Sequence, residues 1–109
     1  MQKERFAELL QYRLESIEKI LGKKAKQYAM GDDRLQNFKD GAQFNNTIPE
    51  DYLMHLVSKH IIALRDFIRV LKYGERKSIE DWDEKIGDII NYMILLEALI
   101  WEGEDDGKK

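Results

Sequence analysis

Apolar residues recur at helical spacing along three long stretches of the chain, and polar residues fill the positions between them. The first stretch steps by three or four residues from Phe6 to Leu21, which is the spacing of one helix face. It predicts helix A, from about residue 3 to Tyr28, with Gly31 as the stop signal.

A capping hydroxyl and a proline mark the start of the second stretch. Thr47 supplies the hydroxyl, Pro49 falls in the first turn, and Glu50 is placed to reach back toward the cap. Helix B then runs to about Tyr73, just before Gly74. Its apolar surface is wider than one seam, which predicts a central helix with neighbours on two sides. The main stripe consists of Leu53, Val57, Ile61, Leu64, Ile68 and Leu71.

Helix C starts at Ser78, whose hydroxyl can cap a first turn that is rich in acids. Its apolar residues alternate at three and four, and its second half is apolar nearly all round. Such a helix is buried or shared with another subunit, so the sequence predicts a homo-oligomer. The heptad-like seam consists of Ile79, Trp82, Ile86, Ile89, Met93, Leu96 and Ile100.

The remaining segments connect or follow these helices. Residues 29–46 form the one long connection, with a short amphipathic turn at Leu35 and Phe38. Residues 103–109 carry no apolar side chain and are predicted to be a flexible tail. No strand-like alternation appears in the sequence. We therefore predict an all-α fold of three long helices plus a short helical turn, with one domain over residues 1–102 that is completed by oligomerisation.

Composition narrows the functional classes. A chain of 109 residues with 43% hydrophobic and 36% charged residues suits one globular domain. The net charge of −3 disfavours nucleic acid as a partner. The absence of cysteine excludes disulfides and thiolate metal sites. No apolar run is long enough for a signal peptide or a membrane span, so we expect a cytoplasmic protein without a membrane partner.

A polar line on helix C is the first candidate for chemistry. Glu84, Asp88 and Asn91 are spaced by four and three residues, on the side opposite the apolar seam. Two helical acids are a common way to hold Mg²⁺, but acids early in a helix also suit a solvated face. Asn91 lies among apolar residues, where an amide without a partner is costly. It needs a structural partner or a ligand.

Helix B offers a second polar face. Lys59 and Asp66 lie opposite the main stripe, where they could bind a phosphate and a metal ion. The alternative is an ordinary exposed face with weak ion pairs. His55 and His60 are interpreted as surface or core-edge histidines rather than ligands.

The connection between helices A and B has a composition that suits a nucleotide. Arg34 and the neighbouring lysines could hold phosphates, Tyr28 or Phe38 could stack on a base, and Asn37 could hydrogen-bond to a base edge. The alternative is that the aromatic residues cap the core while the charges face water.

Two family resemblances rest on these residues. Residues 28–38, Lys59 and the string from Asp88 to Tyr92 resemble a family of small phage-encoded helical proteins. The string from Glu84 to Asp88, followed by an apolar run, resembles the second metal-binding helix of MazG-like nucleoside triphosphate pyrophosphohydrolases. This second resemblance implies an all-α, oligomeric, Mg²⁺-dependent enzyme in which Asp88 is a metal ligand. Lys85 stands where that family has a glutamate, and Lys59-His60 falls near its first acidic cluster.

Three functions therefore stay open. In the first, the protein is a pyrophosphohydrolase that cleaves a nucleoside triphosphate to monophosphate and pyrophosphate. Its Mg²⁺ ligands are Glu84, Asp88 and Asp66, and Lys59 and Arg34 bind the phosphate charge. In the second, a catalytically silent relative binds a nucleotide or a host protein. In the third, the protein is a structural oligomer with Trp82 and Trp101 at its interface. The predicted substrate-binding residues are Lys59, Arg34, Asn37, Tyr28 and Asn91.

Overall fold

A computed structural model describes residues 1–22 and 33–107, and within those ranges the chain forms four α-helices and no strand. These are α1 (Lys3–Leu21), α2 (Gln36–Phe44), α3 (Pro49–Lys72) and α4 (Ile79–Gly107). The all-α prediction is confirmed. Helices A, B and C correspond to α1, α3 and α4, and the short turn predicted at Leu35 and Phe38 is the nine-residue helix α2.

The predicted end of helix A at Tyr28 is wrong for the described helix, because α1 ends at Leu21. Gly22 leaves the helical region with ψ −164°, and its N–H donates to the Glu18 carbonyl at 2.8 Å. Glycine has a low helix propensity because it loses more backbone freedom than other residues, so the helix stops there. Residues 23–32, including Tyr28, lie outside the described residues.

The chain divides into two compact units, Met1–Arg34 and Leu35–Lys109. The first contains α1, and the second contains α2, α3 and α4. The single domain over residues 1–102 stays a prediction.

The start of α3 differs in detail from the predicted cap. Ile48 is the N-cap residue, and the helix begins at Pro49 with acids in its first turn. The Thr47 hydroxyl donates to Asp51 Oδ2 at 2.7 Å instead of capping a backbone N–H. Thr47 precedes the N-cap, so its side chain is one position too early to cap the helix.

Both ends of α4 can be compared with the prediction. The Ser78 cap is confirmed, because the Asp81 N–H donates to Ser78 Oγ at 3.0 Å. The flexible tail predicted over residues 103–109 is wrong for residues 103–107, because α4 continues through Gly107. In this part of α4, Glu102 pairs with Lys39 of α2 at 2.6 Å.

The core lies where α2 meets the first half of α3 and the second half of α4. Leu35 and Phe38 pack there with Leu53 of α3 and Leu99 of α4. The position of α3 between two neighbours, α2 and α4, is confirmed. Phe67 and Trp82 make an edge-to-face contact at 5.2 Å between the other halves of α3 and α4. Partly buried side chains that complete the core are Tyr52, Leu56, Tyr92, Leu95, Leu96 and Ala98.

The buried face of α4 is not its heptad-like seam. The buried residues of α4 are Gly87, Asn91 and Leu99, whereas Ile79 in the seam is 78% exposed. The polar line that starts at Glu84 therefore turns into the core at Asn91, and much of the seam faces outward. Three more seam residues are also exposed, namely Ile86, Met93 and Ile100.

None of the helices in the described ranges combines the length and the apolarity that crossing a bilayer requires.

The first prediction concerns the core. We expect Leu53→Ala to lower the free energy of unfolding by about 2–5 kcal/mol, because Leu53 is 0% exposed and its removal leaves a cavity. Leu71→Ala on the same helix is the control. Leu71 is 40% exposed, so its loss should cost about 1 kcal/mol or less. Urea denaturation of both variants measures the difference, and equal losses would contradict this location of the core.

Candidate functional site

A histidine, a carboxylate and a tyrosine meet between the middle of α3 and the middle of α4, and a buried asparagine lies next to the tyrosine along α4. His60 Nδ1 lies 3.5 Å from Asp88 Oδ2, and the His60 and Tyr92 rings are 5.6 Å apart. Asn91 precedes Tyr92 and is the buried polar residue of α4. We call His60, Asp88, Asn91 and Tyr92 the polar cluster.

The sequence spacing explains how these residues come together. Residues 88, 91 and 92 lie three and four apart, so they share one side of α4. On α3, His60 is three residues beyond Val57 and seven beyond Leu53, both fully buried. The cluster therefore continues the core contact of α3 with α4. Phe38 of α2 borders it, with its ring edge-on to Tyr92 at 6.4 Å.

Two buried polar atoms of the cluster lack a hydrogen bond within the described residues. Asn91 is 8% exposed, and its Oδ1 accepts no hydrogen bond there. His60 Nδ1 is also buried without one, although it lies 3.5 Å from Asp88 Oδ2. An unsatisfied buried polar group costs about 1–3 kcal/mol. Two such groups in one cluster suggest that they serve a partner other than the protein interior.

The pKa of Tyr92 also depends on its surroundings in the polar cluster. Burial raises the pKa of the Tyr92 hydroxyl above its ordinary value of 10.0. The negative charge of Asp88 raises it further, and Tyr52 contributes in the same direction. Both effects disfavour the phenolate. At neutral pH Tyr92 is therefore a neutral hydroxyl that can donate or accept a hydrogen bond.

The predicted substrate-binding residues are distributed unevenly around this cluster. Asn91 belongs to it, whereas Lys59 on α3 and Asn37 on α2 are exposed. Arg34 belongs to the other compact unit and donates to the Leu21 carbonyl at 3.2 Å. Tyr28 lies outside the described residues.

The predicted Mg²⁺ ligands do not form a ligand set. Asp66 lies 3.4 Å from Arg65 and 3.8 Å from Arg69, and Glu84 is exposed. Asp88 alone among the three joins the polar cluster. Within residues 1–22 and 33–107, no three histidine or carboxylate side chains are arranged to hold a metal ion. The described part of the chain thus offers Asp88 as a single candidate ligand rather than a carboxylate centre.

His60 and Tyr92 are the functional candidates that sequence reasoning missed. The sequence indicates His60 only as a surface or core-edge histidine, and it indicates Tyr92 only through a family resemblance. The available signals were positional. His60 shares a helix face with Leu53 and Val57, and Tyr92 follows Asp88 by one helical turn. Together they indicate a polar group at the margin of the core.

A separate open depression lies at the junction of α2 and α3, with a volume of about 540 Å³. It does not involve the polar cluster, and its one charged residue, Lys39, pairs with Glu102. It is the weaker candidate, because neither unsatisfied buried polar atom of the described residues lies in its lining. The lining residues are Lys39, Ala42, Gln43, Asn46, Thr47, Ile48 and Pro49.

Comparison with known proteins identifies no relative: no family model matches the chain, and neither a curated protein nor a solved structure shows significant similarity to it.

The second prediction separates a structural role of Asn91 from a binding role. We expect Asn91→Leu to raise the free energy of unfolding by about 1 kcal/mol, because it replaces an amide whose buried Oδ1 accepts no hydrogen bond with an apolar group of similar size. Leu99→Asn, at a buried apolar position of the same helix, should destabilise strongly. If Asn91→Leu lost stability, the amide would be a structural element of the core.

The third prediction concerns pH. Since the folded-state pKa of Tyr92 is raised above 10.0, the neutral phenol favours the folded state below that pH. This contribution is lost as the pH rises through the unfolded and then the folded pKa. We expect Tyr92→Phe to show a shallower loss of stability above pH 10.0 than the wild type. Tyr73→Phe, at an exposed tyrosine, should retain the wild-type slope in denaturation midpoints measured across pH.

Proposed function

We propose that the protein binds a nucleotide at the polar cluster. The observation that supports this most directly is the pair of unsatisfied buried atoms, Asn91 Oδ1 and His60 Nδ1. Small-molecule sites combine apolar walls with a few convergent polar groups, and Phe38 and Tyr92 supply aromatic surface beside these atoms.

The chemistry of the four side chains suits the edge of a nucleobase. The Asn91 amide can accept and donate hydrogen bonds, and the Asp88 carboxylate can accept one from an amino or imino group. The Tyr92 hydroxyl stays neutral because burial and Asp88 raise its pKa. Lys59, which precedes His60 on α3 and is exposed, can bind a phosphate group through its ammonium charge. The resemblance to nucleotide pyrophosphohydrolases favours the same class of ligand.

Binding without turnover is the form of this function that the residues favour. Two-metal attack on a triphosphate requires several carboxylates that converge on the cations. Lys85 and Lys59-His60 occupy places where the MazG-like pattern has acids, and no three acidic or histidine side chains converge in the described ranges. We therefore propose a catalytically silent relative that acts in phage or bacterial nucleotide metabolism.

A Mg²⁺-dependent pyrophosphohydrolase is the second candidate. Asp88 supports it, because this residue matches the resembled family's aspartate and its side chain, within the polar cluster, is partly exposed. If Mg²⁺ binds, Asp88 would hold it there and the cation would neutralise phosphate charge.

The fourth prediction tests binding. In a thermal-shift panel of nucleoside mono-, di- and triphosphates with and without Mg²⁺, we expect at least one nucleotide to stabilise the wild type. At a free nucleotide concentration about 100 times the dissociation constant, binding raises the free energy of unfolding by about 2.7 kcal/mol. Asn91→Leu should abolish the shift while its ligand-free stability is retained or raised. Glu84→Gln, at an exposed acid of the same helix, is the control and should respond like the wild type.

Further arms of the same experiment separate the two candidates. Asp88→Asn deletes one charge at nearly constant shape, so it should remove the Mg²⁺-dependent part of binding. Pyrophosphate release from the stabilising triphosphate would identify an enzyme, whereas binding without release supports the silent relative. A wild type that no nucleotide stabilises would overturn the proposal, as would unchanged nucleotide affinity in Asn91→Leu.

A further inference from the structure

The apolar face of α1 is not buried within its own compact unit. All of α1 lies within the described residues, and none of its 19 residues is buried. Leu14, in the middle of the helix, is 53% exposed. A helix of this length is marginally stable in water by itself, because most helical stability comes from packing of an apolar face. The face consists of Ala7, Leu10, Leu14, Ile17 and Leu21.

The spacing of that face specifies how it can pack. Its residues step by three, four, three and four, which is the heptad pattern of a coiled coil. Ala7, Leu14 and Leu21 take the a positions, and Leu10 and Ile17 take the d positions. In the second half of the face, leucine at a (Leu14 and Leu21) with isoleucine at d (Ile17) favours more than two strands. Phe6 and Ile20 fall at g positions and widen the apolar surface, which also favours more than two strands.

We propose that this face binds the same face of other copies of the chain, in a parallel, in-register coiled coil of three or four α1 helices. Charge complementarity favours that partner and that orientation. Arg13 at g and Glu18 at e are five residues apart, which is the spacing at which g and e side chains of neighbouring parallel strands meet. Every neighbouring pair of strands would bring Arg13 and Glu18 together, in exchange for contacts that Arg13 makes within its own chain, such as that with the Tyr12 ring at 5.6 Å.

The antiparallel arrangement with the same overlap is disfavoured by the same charges. In that arrangement g faces g and e faces e, so Arg13 would meet Arg13 of the neighbour, and Glu4 would meet Glu18. Like charges at these positions weaken pairing and set orientation.

Net charge also favours α1 over α4 as the element that self-associates. In α1, the four cations Lys3, Arg5, Arg13 and Lys19 balance four glutamates. In α4, ten acidic residues stand against the single cation Lys85. Bringing several α4 helices together would concentrate negative charge, whereas α1 helices associate without that penalty.

The first arm of the test measures mass. Sedimentation velocity of the full chain across a concentration series should give an assembly of three or four chains for the wild type. Leu14→Asn places an amide at the central a position and should shift the chain to monomer or weaken association at least tenfold. Leu9→Asn is the matched control, since Leu9 is 49% exposed but lies off the face. A monomeric wild type, or equal loss in both variants, would overturn the proposal.

The second arm tests orientation and uses the absence of cysteine from the chain. Lys3 lies seven residues before Leu10 and is therefore at a d position. Lys3→Cys places a thiol there, where parallel in-register strands bring identical residues within disulfide distance. Mild oxidation should convert it to covalent dimers on a non-reducing gel. Glu8→Cys, off the apolar face, should stay mostly unlinked. Equal linking of the two variants would contradict the parallel register.

A charge exchange completes the test. Arg13→Glu should weaken assembly because the introduced carboxylate would then face Glu18 of the neighbouring strand, and the double change Arg13→Glu with Glu18→Arg should restore it. Failure of the double change to restore assembly would contradict the proposed pairing. If assembly instead depended on exposed α4 residues such as Met93, and Leu14→Asn had no effect, the interface would be the α4 seam and the proposal would be wrong.

Discussion

The enclosure of Leu53 by two other helices is the constraint on which the second compact unit depends. Leu53 reaches 0% exposure because Leu35 and Phe38 of α2 and Leu99 of α4 pack around the same cluster. Its burial fixes the register of α3 against α4, and that register in turn sets His60 beside Asp88 and Tyr92. A helix pair alone would leave this cluster more open, since Phe38 of α2 also contacts Tyr92. The candidate site is thus a margin of the core rather than a separate pocket.

The same arrangement explains why polar groups are retained where apolar ones would pack better. The interior of a small helical unit gains stability from every apolar side chain that it encloses. Asn91 and His60 occupy enclosed positions without complete hydrogen bonding, so they lower the stability that this contact could reach. Natural proteins commonly accept such a cost at binding sites. This local conflict distinguishes the polar cluster from the exposed charged faces, where Asp66 with its neighbouring arginines is an ordinary surface ion pair.

Sequence reasoning predicted what local rules control and missed what packing controls. The helix types, the Ser78 cap and the central place of α3 follow from periodicity and capping chemistry, and the structure agrees with them. The orientation of α4 did not follow, because the wide apolar surface of this helix does not specify which side meets α3. The heptad-like seam was the more regular pattern, yet the buried side includes Asn91. The sequence marks Asn91 as an amide among apolar residues, and the structure buries it. The place of His60 beside Asp88 and Tyr92 does not follow from the sequence, because it depends on the contact between two helices.

The unequal covering of α3 and α4 has a consequence for motion. Near Leu53 and Leu99 the two helices share their contact with α2, whereas near Phe67 and Trp82 the described contact is between α3 and α4 alone. Local opening requires less free energy where fewer apolar contacts must separate. Amide hydrogens in the first turns of α4 should therefore exchange with solvent through openings that leave the core closed. Those around Leu53 should exchange only when the whole unit unfolds. The polar cluster lies at the boundary between these two regimes, where a ligand that joins α3 to α4 would slow the exchange of the less protected half.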